Sequence, residues 1–391
     1  MKVIKGYKTE LAPTNKQRTL LLQHAGIARF AYNWGLNRVK EGISKPNAMQ
    51  LHKDWNQWKK QNIPWWSLSS KCSPQEALRN LERAFKTFFD KCKKKKQGKF
   101  KGKVGFPKFK SKHNGVGSFR LTGTIKVFEK AVQLPVLGKL KLKERGYIPT
   151  ADIKILAATV SERAGRWFVS IQCEQEVPEP IVKPTAVVGI DLGIKTLAVC
   201  SDGKTYENPK VLRNNLKQLK HLQRHLSRKV KGSKNRKLVA QKVAKLHLRI
   251  ANIRKDTIHK MTTDLTKTKS LCVIEDLNVA GMMKNHCLAQ AIADLGLGEW
   301  RRQMEYKGKL YGCGILVADR YYPSSKTCSA CGCIKEDLTL ADREWTCADC
   351  GTHHDRDRNA STNLENYGKI VAVSSTETLN SPMDGQALAT T

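Results

Sequence analysis

The stretch from Cys328 to Asn363, CSACGCIKEDLTLADREWTCADCGTHHDRDRNASTN, constrains this chain most. It opens with two Cys-x-x-Cys pairs, Cys328/Cys331 and Cys347/Cys350, with 15 residues between them. Each pair can chelate from one tight turn, and four thiolates at this spacing describe a tetrahedral structural Zn²⁺ site. Four sulfurs leave no open position for water, so the metal is expected to hold shape and do no chemistry. Cys333 then reads as a bystander, and His353 and His354 are surplus to a saturated ion. Seven residues after the last cysteine comes Asp357, in the run Asp355-Arg-Asp-Arg-Asn359. A metal knuckle that runs into an acidic turn and then a helix needs partners elsewhere for its acid.

Charge says what the surface is for. Lys and Arg number 71 against 34 Asp and Glu, a formal net charge of +37. Such an excess repels itself unless a polyanion is present, and nucleic acid is the usual one, because each neutralised phosphate releases counterions. The eight cysteines outside the pairs (72, 92, 173, 200, 272, 287, 313 and 333) are scattered, several in apolar runs. That suits buried thiols in a reducing cytoplasm, not a disulfide framework. No apolar run reaches transmembrane length and no secretory signal is seen, so a cytoplasmic location without a membrane partner is expected.

Residues 2–11 read as a short strand, and Thr14-Asn-Lys-Gln17 is a capping box that starts an amphipathic helix over 16–40. Two more helical patterns fill 48–90, broken at Pro64-Trp-Trp66. The second places Leu78, Leu81, Ala84, Phe85 and Phe88 on one face. Residues 91–112 (KCKKKKQGKFKGKVGFPKFKSK) contain no acid. Glycines interrupt this run and Phe100, Phe106 and Phe109 interleave with its lysines. It is expected to be a flexible basic loop for phosphates and unstacked bases, with Lys94, Lys95, Lys99 and Lys103 as candidate contacts. Residues 116–180 alternate or are β-branched and predict a small barrel or meander. VPEPIVKP at 177–184 reads as a linker.

Beyond it, Val187 to Val199 is a strand, a turn at Gly193 and a second strand, with Asp191 among apolar residues. Locally Asp191 is equally a turn residue before Gly193 or a buried carboxylate that needs a cation. Leu212, Leu216, Leu219, Leu222 and Leu226, then Val239, Val243, Leu246, Ile250 and Ile253, describe a heptad-like helical hairpin over 210–265. Between 210 and 255 it carries no Asp or Glu, so its polar face, with Arg224 and Arg228 as candidate contacts, is expected to meet phosphates. SLCVIEDL at 270–277 is a strand whose alternation puts Leu271, Val273 and Glu275 on one face and Cys272, Ile274 and Asp276 on the other. A helical stretch (287–311) and the strand GILVADRYYP precede the cysteines. From about Val371 the composition turns to Ser, Thr and small residues and reads as a disordered tail.

Strands near 187, 196, 204, 271 and 315 with interspersed helices predict an RNase H-like mixed sheet, on which Asp191, Glu275 and Asp357 converge at one edge. Three convergent carboxylates repel, and two Mg²⁺ ions about 3.5–4 Å apart would resolve the repulsion and serve phosphodiester cleavage. Asp355 competes with Asp357 for the third place.

Taken together, GIDLGIKTLAV, VIEDLNV, the cysteine pairs and HDRDRNAS resemble the TnpB (OrfB) family, transposon-encoded proteins related to type V CRISPR effectors. LRNLERAFKTFF, VGFPKFK and LVADRYYPSSKTCSACG extend the resemblance over nearly all of the chain to about residue 370. It implies a wedge β-barrel split between 1–12 and 96–180 around a helical recognition module at 13–95. After a linker at 181–184 come a RuvC-like nuclease at 185–320 with the basic hairpin 210–265, a zinc ribbon at 321–353, a final helix at 354–370 and the tail at 371–391. The implied activity is Mg²⁺-dependent, RNA-guided cleavage of double-stranded DNA, with a guide RNA from the transposon end and a short motif flanking the target. The implied catalytic residues are Asp191, Glu275 and Asp357, the last because the family's acid precedes the x-Asn-Ala run, here Arg358-Asn359-Ala360. Lys71 and Gln75 resemble the positions that approach the flanking-motif duplex. One departure is Leu297 in ADLGLGEW, where the family often has an aromatic, and a packing change is expected there. The rival readings are a nuclease-inactive RNA-guided repressor, which should have lost an acid, and a DNA-strand-transfer transposase.

Overall fold

The computed structural model describes residues 1–180, 186–339 and 341–380. It divides into two compact units, Met1–Pro178 and Glu179–Thr391. The linker expected at 181–184 lies outside the described residues.

In the first unit the elements run β1 (Lys2–Leu11), α1 (Asn15–Lys40), α2 (Ala48–Asn62), α3 (Cys72–Lys96), β2 (Ser118–Leu121), β3 (Lys126–Phe128), β4 (Ala131–Leu134), β5 (Gly138–Lys141), β6 (Ile153–Arg163) and β7 (Arg166–Glu176). Two antiparallel sheets form, β1-β7-β6-β2 and β3-β4-β5. They approach where Leu11 bridges to Leu142. α1 starts at the anticipated capping box: the Gln17 N–H donates to Thr14 Oγ1 at 3.3 Å and the Thr14 N–H to Gln17 Oε1 at 3.0 Å. Leu21, Leu36, Leu51, Trp55, Leu78, Leu81 and Phe85 join the inner faces of the sheets in one core.

Part of the basic run is corrected here. Residues 91–96, expected as loop, are the last turns of α3. Lysine is a good helix former and a cation at the helix C-terminus is favourable, so the helix continues until Gly98 at φ +70°. The loop proper begins there. Phe106 packs edge-on against Phe85 and Phe88, and Lys40 lies over the Phe109 ring. Lys94, Lys95, Lys99 and Lys103 are exposed.

In the second unit come β8 (Val187–Asp191), β9 (Thr196–Cys200), β10 (Thr205–Glu207), α4 (Val211–Ser227), α5 (Lys234–Thr268), β11 (Leu271–Ile274), α6 (Val279–Met282), α7 (Ala289–Leu295), α8 (Leu297–Tyr311), β12 (Gly314–Val317), β13 (Glu344–Thr346), β14 (His353–Asp355) and α9 (Arg356–Asn380). The five-stranded sheet has the order β10-β9-β8-β11-β12. β10, β9 and β8 are antiparallel neighbours, whereas β8, β11 and β12 run parallel. The sheet is covered on both faces, as parallel pairing requires. Val188, Ile190, Cys272 and Ile274 pack with Ile258, Met261 and Leu265 of α5 and Trp300 and Met304 of α8. Leu297 is buried in the same core, so the leucine at this position fills a packing role. On the other face Val187, Leu271 and Val273 meet Leu364 and Tyr367 of α9.

α9 lies very close to the sheet. A Cβ on Gly189 would stand 1.9 Å from the Ser361 carbonyl oxygen and 2.5 Å from the Glu365 nitrogen. One on Gly368 would stand 2.4 Å from Val273 Cγ2. The backbone of α9 therefore rests on the bare backbone of β8. α9 also corrects the tail: residues 371–380, expected as disordered, continue the helix, because the sequence offers no Gly or Pro to stop it before Pro382.

The hairpin of α4 and α5 is as the leucine spacing implied, with Leu219, Leu246 and Ile250 at its seam. Ile253 does not join the seam and is 37% exposed, because α5 continues far past α4 and turns that position outward.

Gly189→Ala should destabilise the chain by about 1–3 kcal/mol or more, since an overpacked backbone contact cannot relax through side-chain rotamers. Thermal unfolding reads the loss directly; a wild-type melting temperature would contradict the close approach of α9 to β8.

Candidate metal and carboxylate centre

Register places the first two acids. In β8 and β11, Leu271 is opposite Val187 and Val273 opposite Gly189, so Glu275 continues the row that Asp191 ends. Side chains alternate along a strand, so both carboxylates stand on the face that α9 covers. α9 then supplies Asp357 in its first turn. Burial first, then the negative charges of Glu275 and Asp357, push the Asp191 carboxyl up to about 8, against the partial relief of Arg356 and Arg343. The structure thus brings the three predicted acids together, while Asp191 keeps part of its surface open.

Asp355 goes elsewhere. It is exposed at the end of β14, and its Oδ1 accepts the Arg358 N–H at 2.8 Å, which caps the start of α9. Arg343 reaches Asp357 Oδ1 at 3.5 Å from the cysteine knuckle, a contact the sequence reading missed. No local motif marks Arg343; it is one of many arginines in the sequence. Asp276, next to Glu275, is held on the far side by Arg301 at 2.9 Å and by Arg320.

Ser324 was also missed. Its hydroxyl donates to Glu275 Oε1 at 2.6 Å, and the residue is 4% exposed. Its only sequence signal is its place in PSSKTC, ahead of the first cysteine.

The four knuckle sulfurs all lie within 4.8 Å of one another. Cys328–Cys350 and Cys331–Cys347 are both 3.6 Å apart. A tetrahedral zinc with bonds of about 2.3 Å would set its sulfurs roughly 3.8 Å apart, so the residues fit that ion. Hydrogen bonds from Thr352 bring the Cys350 thiol down to about 6, favouring the thiolate that a metal needs. His354, set aside as surplus, touches the cluster: its Nε2 lies 3.0 Å from Cys328 Sγ and its ring packs on Trp345. Burial lowers its pKa, so it is a neutral neighbour of the thiolate. Cys333 stays outside the cluster and contributes its carbonyl to the Cys328 N–H at 2.8 Å. Among the described residues no other His, Cys, Asp or Glu group is drawn this tight, so the three acids are a wider site than the sulfurs.

Of the tentative contact residues, Arg224 and Arg228 are exposed on the hairpin and Lys71 is exposed at the start of α3. Gln75 is half-buried beside a hollow of ≈ 400 Å³ shared with His52, Arg79 and Arg83. No helix among the described residues is long and apolar enough to cross a membrane.

A mixed α/β chain with an acid-bearing sheet and a Cys₄ knuckle defines a class, and the comparisons with known proteins define the family. Residues 170–286 match the family described as "Probable transposase", 298–364 the "Cas12f1-like, TNB domain" and 1–47 a "Helix-turn-helix domain". Within 1–47 the structure holds β1 and α1. The "Putative RNA-guided DNA endonuclease" of Streptomyces pristinaespiralis is 38% identical over 93% of this chain and 89% of its own. The protein of the same description named InsQ, from Escherichia coli, is 33% identical over 95% of this chain and 94% of its own. A solved Cas12f1–sgRNA–target DNA complex aligns over 93% of this chain and 99% of its own at 16% identity and TM-score 0.36. The chain belongs to the TnpB (OrfB) family, which is related to Cas12.

Cys347→Ser should lower zinc content and melting temperature together, read by atomic absorption and calorimetry on one preparation; unchanged zinc would contradict the Cys₄ site. In metal-free protein Asp191 holds a proton up to about pH 8, whereas the unfolded chain releases it near 4. The folded state binds more protons across that window, so this group makes stability fall as pH rises through it. Asp191→Asn should therefore raise the metal-free melting temperature by a few degrees at pH 8 and little at pH 5. An equal shift at both would contradict the crowding of charge.

Proposed function

We propose that this chain is an RNA-guided DNA endonuclease of a transposable element, in which Asp191, Glu275 and Asp357 hold two Mg²⁺ ions. The observation that carries this reading is the meeting of three carboxylates, from the end of β8, the residue after β11 and the first turn of α9, with the charges of Glu275 and Asp357 felt at Asp191. Such crowding disfavours full ionisation, and a divalent cation relieves it. Bound Mg²⁺ would supply an activated water and stabilise the leaving oxygen of a DNA phosphodiester. The chain's own part is to hold the carboxylates on a rigid sheet edge. Glu275 is fixed by Ser324, and Asp357 is set by the capped first turn of α9.

The sheet order β10-β9-β8-β11-β12, antiparallel then parallel, supports an RNase H-like, RuvC-type nuclease over 185–320 and 354–370, with the zinc ribbon at 321–353. The strands of the first unit support a wedge barrel split between 1–12 and 96–180 around a recognition module at 13–95. Guide RNA from the transposon end and a target duplex beside a short flanking motif are the partners in this reading. The relatives' descriptions name RNA-guided DNA endonucleases. Lys94, Lys95, Lys99, Lys103, Arg224 and Arg228 would meet phosphates, and Lys71 and Gln75 the flanking-motif duplex. Binding that is largely electrostatic should weaken steeply with salt. The presence of all three acids favours this reading over a nuclease-inactive repressor. The Cys₄ knuckle and the basic first half favour it over a strand-transfer transposase.

The protein copurified with its RNA should cut a plasmid carrying the matching target in Mg²⁺, and not in excess chelator. Asp191→Ala should lower cleavage by at least about a thousandfold while RNA-dependent DNA binding persists. Wild-type cutting by Asp191→Ala would overturn the assignment.

A further inference from the structure

The contact between Ser324 and Glu275 is the end of a longer connection. Ser324 lies on the loop between β12 and the first cysteine, four residues before Cys328. That loop is pinned to α9 by two asparagines, both 3% exposed. Asn363 Nδ2 donates to the Ser324 carbonyl at 2.7 Å and to the Thr327 carbonyl at 2.6 Å. Asn359 Nδ2 donates to the Thr327 carbonyl at 2.7 Å, and its Oδ1 accepts the Ser329 N–H at 3.0 Å. Tyr322 closes the loop with its hydroxyl on the Asn363 carbonyl at 3.2 Å and its ring 4.9 Å from Tyr367. Asn359 and Asn363 stand on the helix that carries Asp357, two and six residues further along.

Buried amides on main-chain carbonyls are costly to leave unmet, so this geometry is firmly specified. A hydroxyl on one carboxylate oxygen anchors that oxygen and restricts rotation of the group, leaving the other oxygen to meet a cation. That is the task of the partners behind metal ligands, whose loss typically costs about 10–100-fold in metal affinity.

We propose that Ser324 is a positioning residue for Glu275, and that Asn359 and Asn363 tie it to the cysteine knuckle. Folding of the knuckle around its metal thereby orders the carboxylate site for a divalent cation. This rests on the reading of Glu275 as a cation ligand. The knuckle is the anchor of the loop that aims Glu275, and α9 carries both the third acid and the pins of that loop.

The test uses the full-length, zinc-loaded chain freed of Mg²⁺, titrated with Mn²⁺ and followed by electron paramagnetic resonance and calorimetry. Ser324→Ala should weaken Mn²⁺ binding about tenfold while zinc stays at the wild-type level and the melting temperature moves by only a few degrees. Ser324→Thr, which keeps the hydroxyl, should restore near wild-type Mn²⁺ affinity. Asn363→Ser should weaken Mn²⁺ binding in the same direction, and it carries the test if Ser324→Ala does not fold. Asp191→Ala separates the two levels of the argument. If it abolishes Mn²⁺ binding while Ser324→Ala binds as wild type, the positioning role is overturned and the carboxylate centre stands. If neither changes Mn²⁺ binding, both are overturned. Failure of Ser324→Thr to improve on Ser324→Ala would also overturn the positioning role, because packing alone would then explain the serine.

Discussion

The second unit depends on one close approach: the backbone of α9 lying on β8 at Gly189, where even a methyl group would collide with the Ser361 carbonyl. Asp191 ends β8 and Asp357 begins α9, so the contact that packs the fold also brings the two acids together. Glu275 enters through register, because the parallel pairing of β8 with β11 sets it beside Asp191. Packing thus holds together three groups that electrostatics would separate, and the strain of that arrangement is concentrated on Asp191.

The cysteine knuckle is more than an insertion between the last strand and the last helix. Its entry loop returns to the sheet through Ser324, it is pinned to α9 through Asn359 and Asn363, and Arg343 within it reaches Asp357. A saturated metal does no chemistry of its own, but it can fix a loop, and this loop ends on a carboxylate.

Much of this was legible in the sequence because the relevant signals are local. The cysteine spacing specified the four-sulfur cluster, the capping box specified the start of α1, and alternation in SLCVIEDL specified the face of Glu275. The three acids could be named as a set, and Asp355 and Asp357 differ in placement: Asp355 caps a helix, whereas the charge of Asp357 is felt at Asp191. What was not legible is non-local. Ser324, Arg343 and His354 act on residues 49, 14 and 26 positions away, and no spacing rule links them. The lysine run 91–96 is helix where charge density suggests loop, because lysine sustains a helix until Gly98 breaks it. Residues 371–380 are helical for a similar reason, since Ser and Thr weaken a helix without ending it, and the rest of the expected tail, 381–391, lies outside the described residues.

The most direct measurement is a structure of the protein grown in Mn²⁺, with anomalous scattering collected at the manganese and zinc edges. The account predicts manganese among Asp191, Glu275 and Asp357, with Asp355 uninvolved, and a single zinc among Cys328, Cys331, Cys347 and Cys350. Manganese bound at Asp355, or no manganese among the three acids, would contradict it.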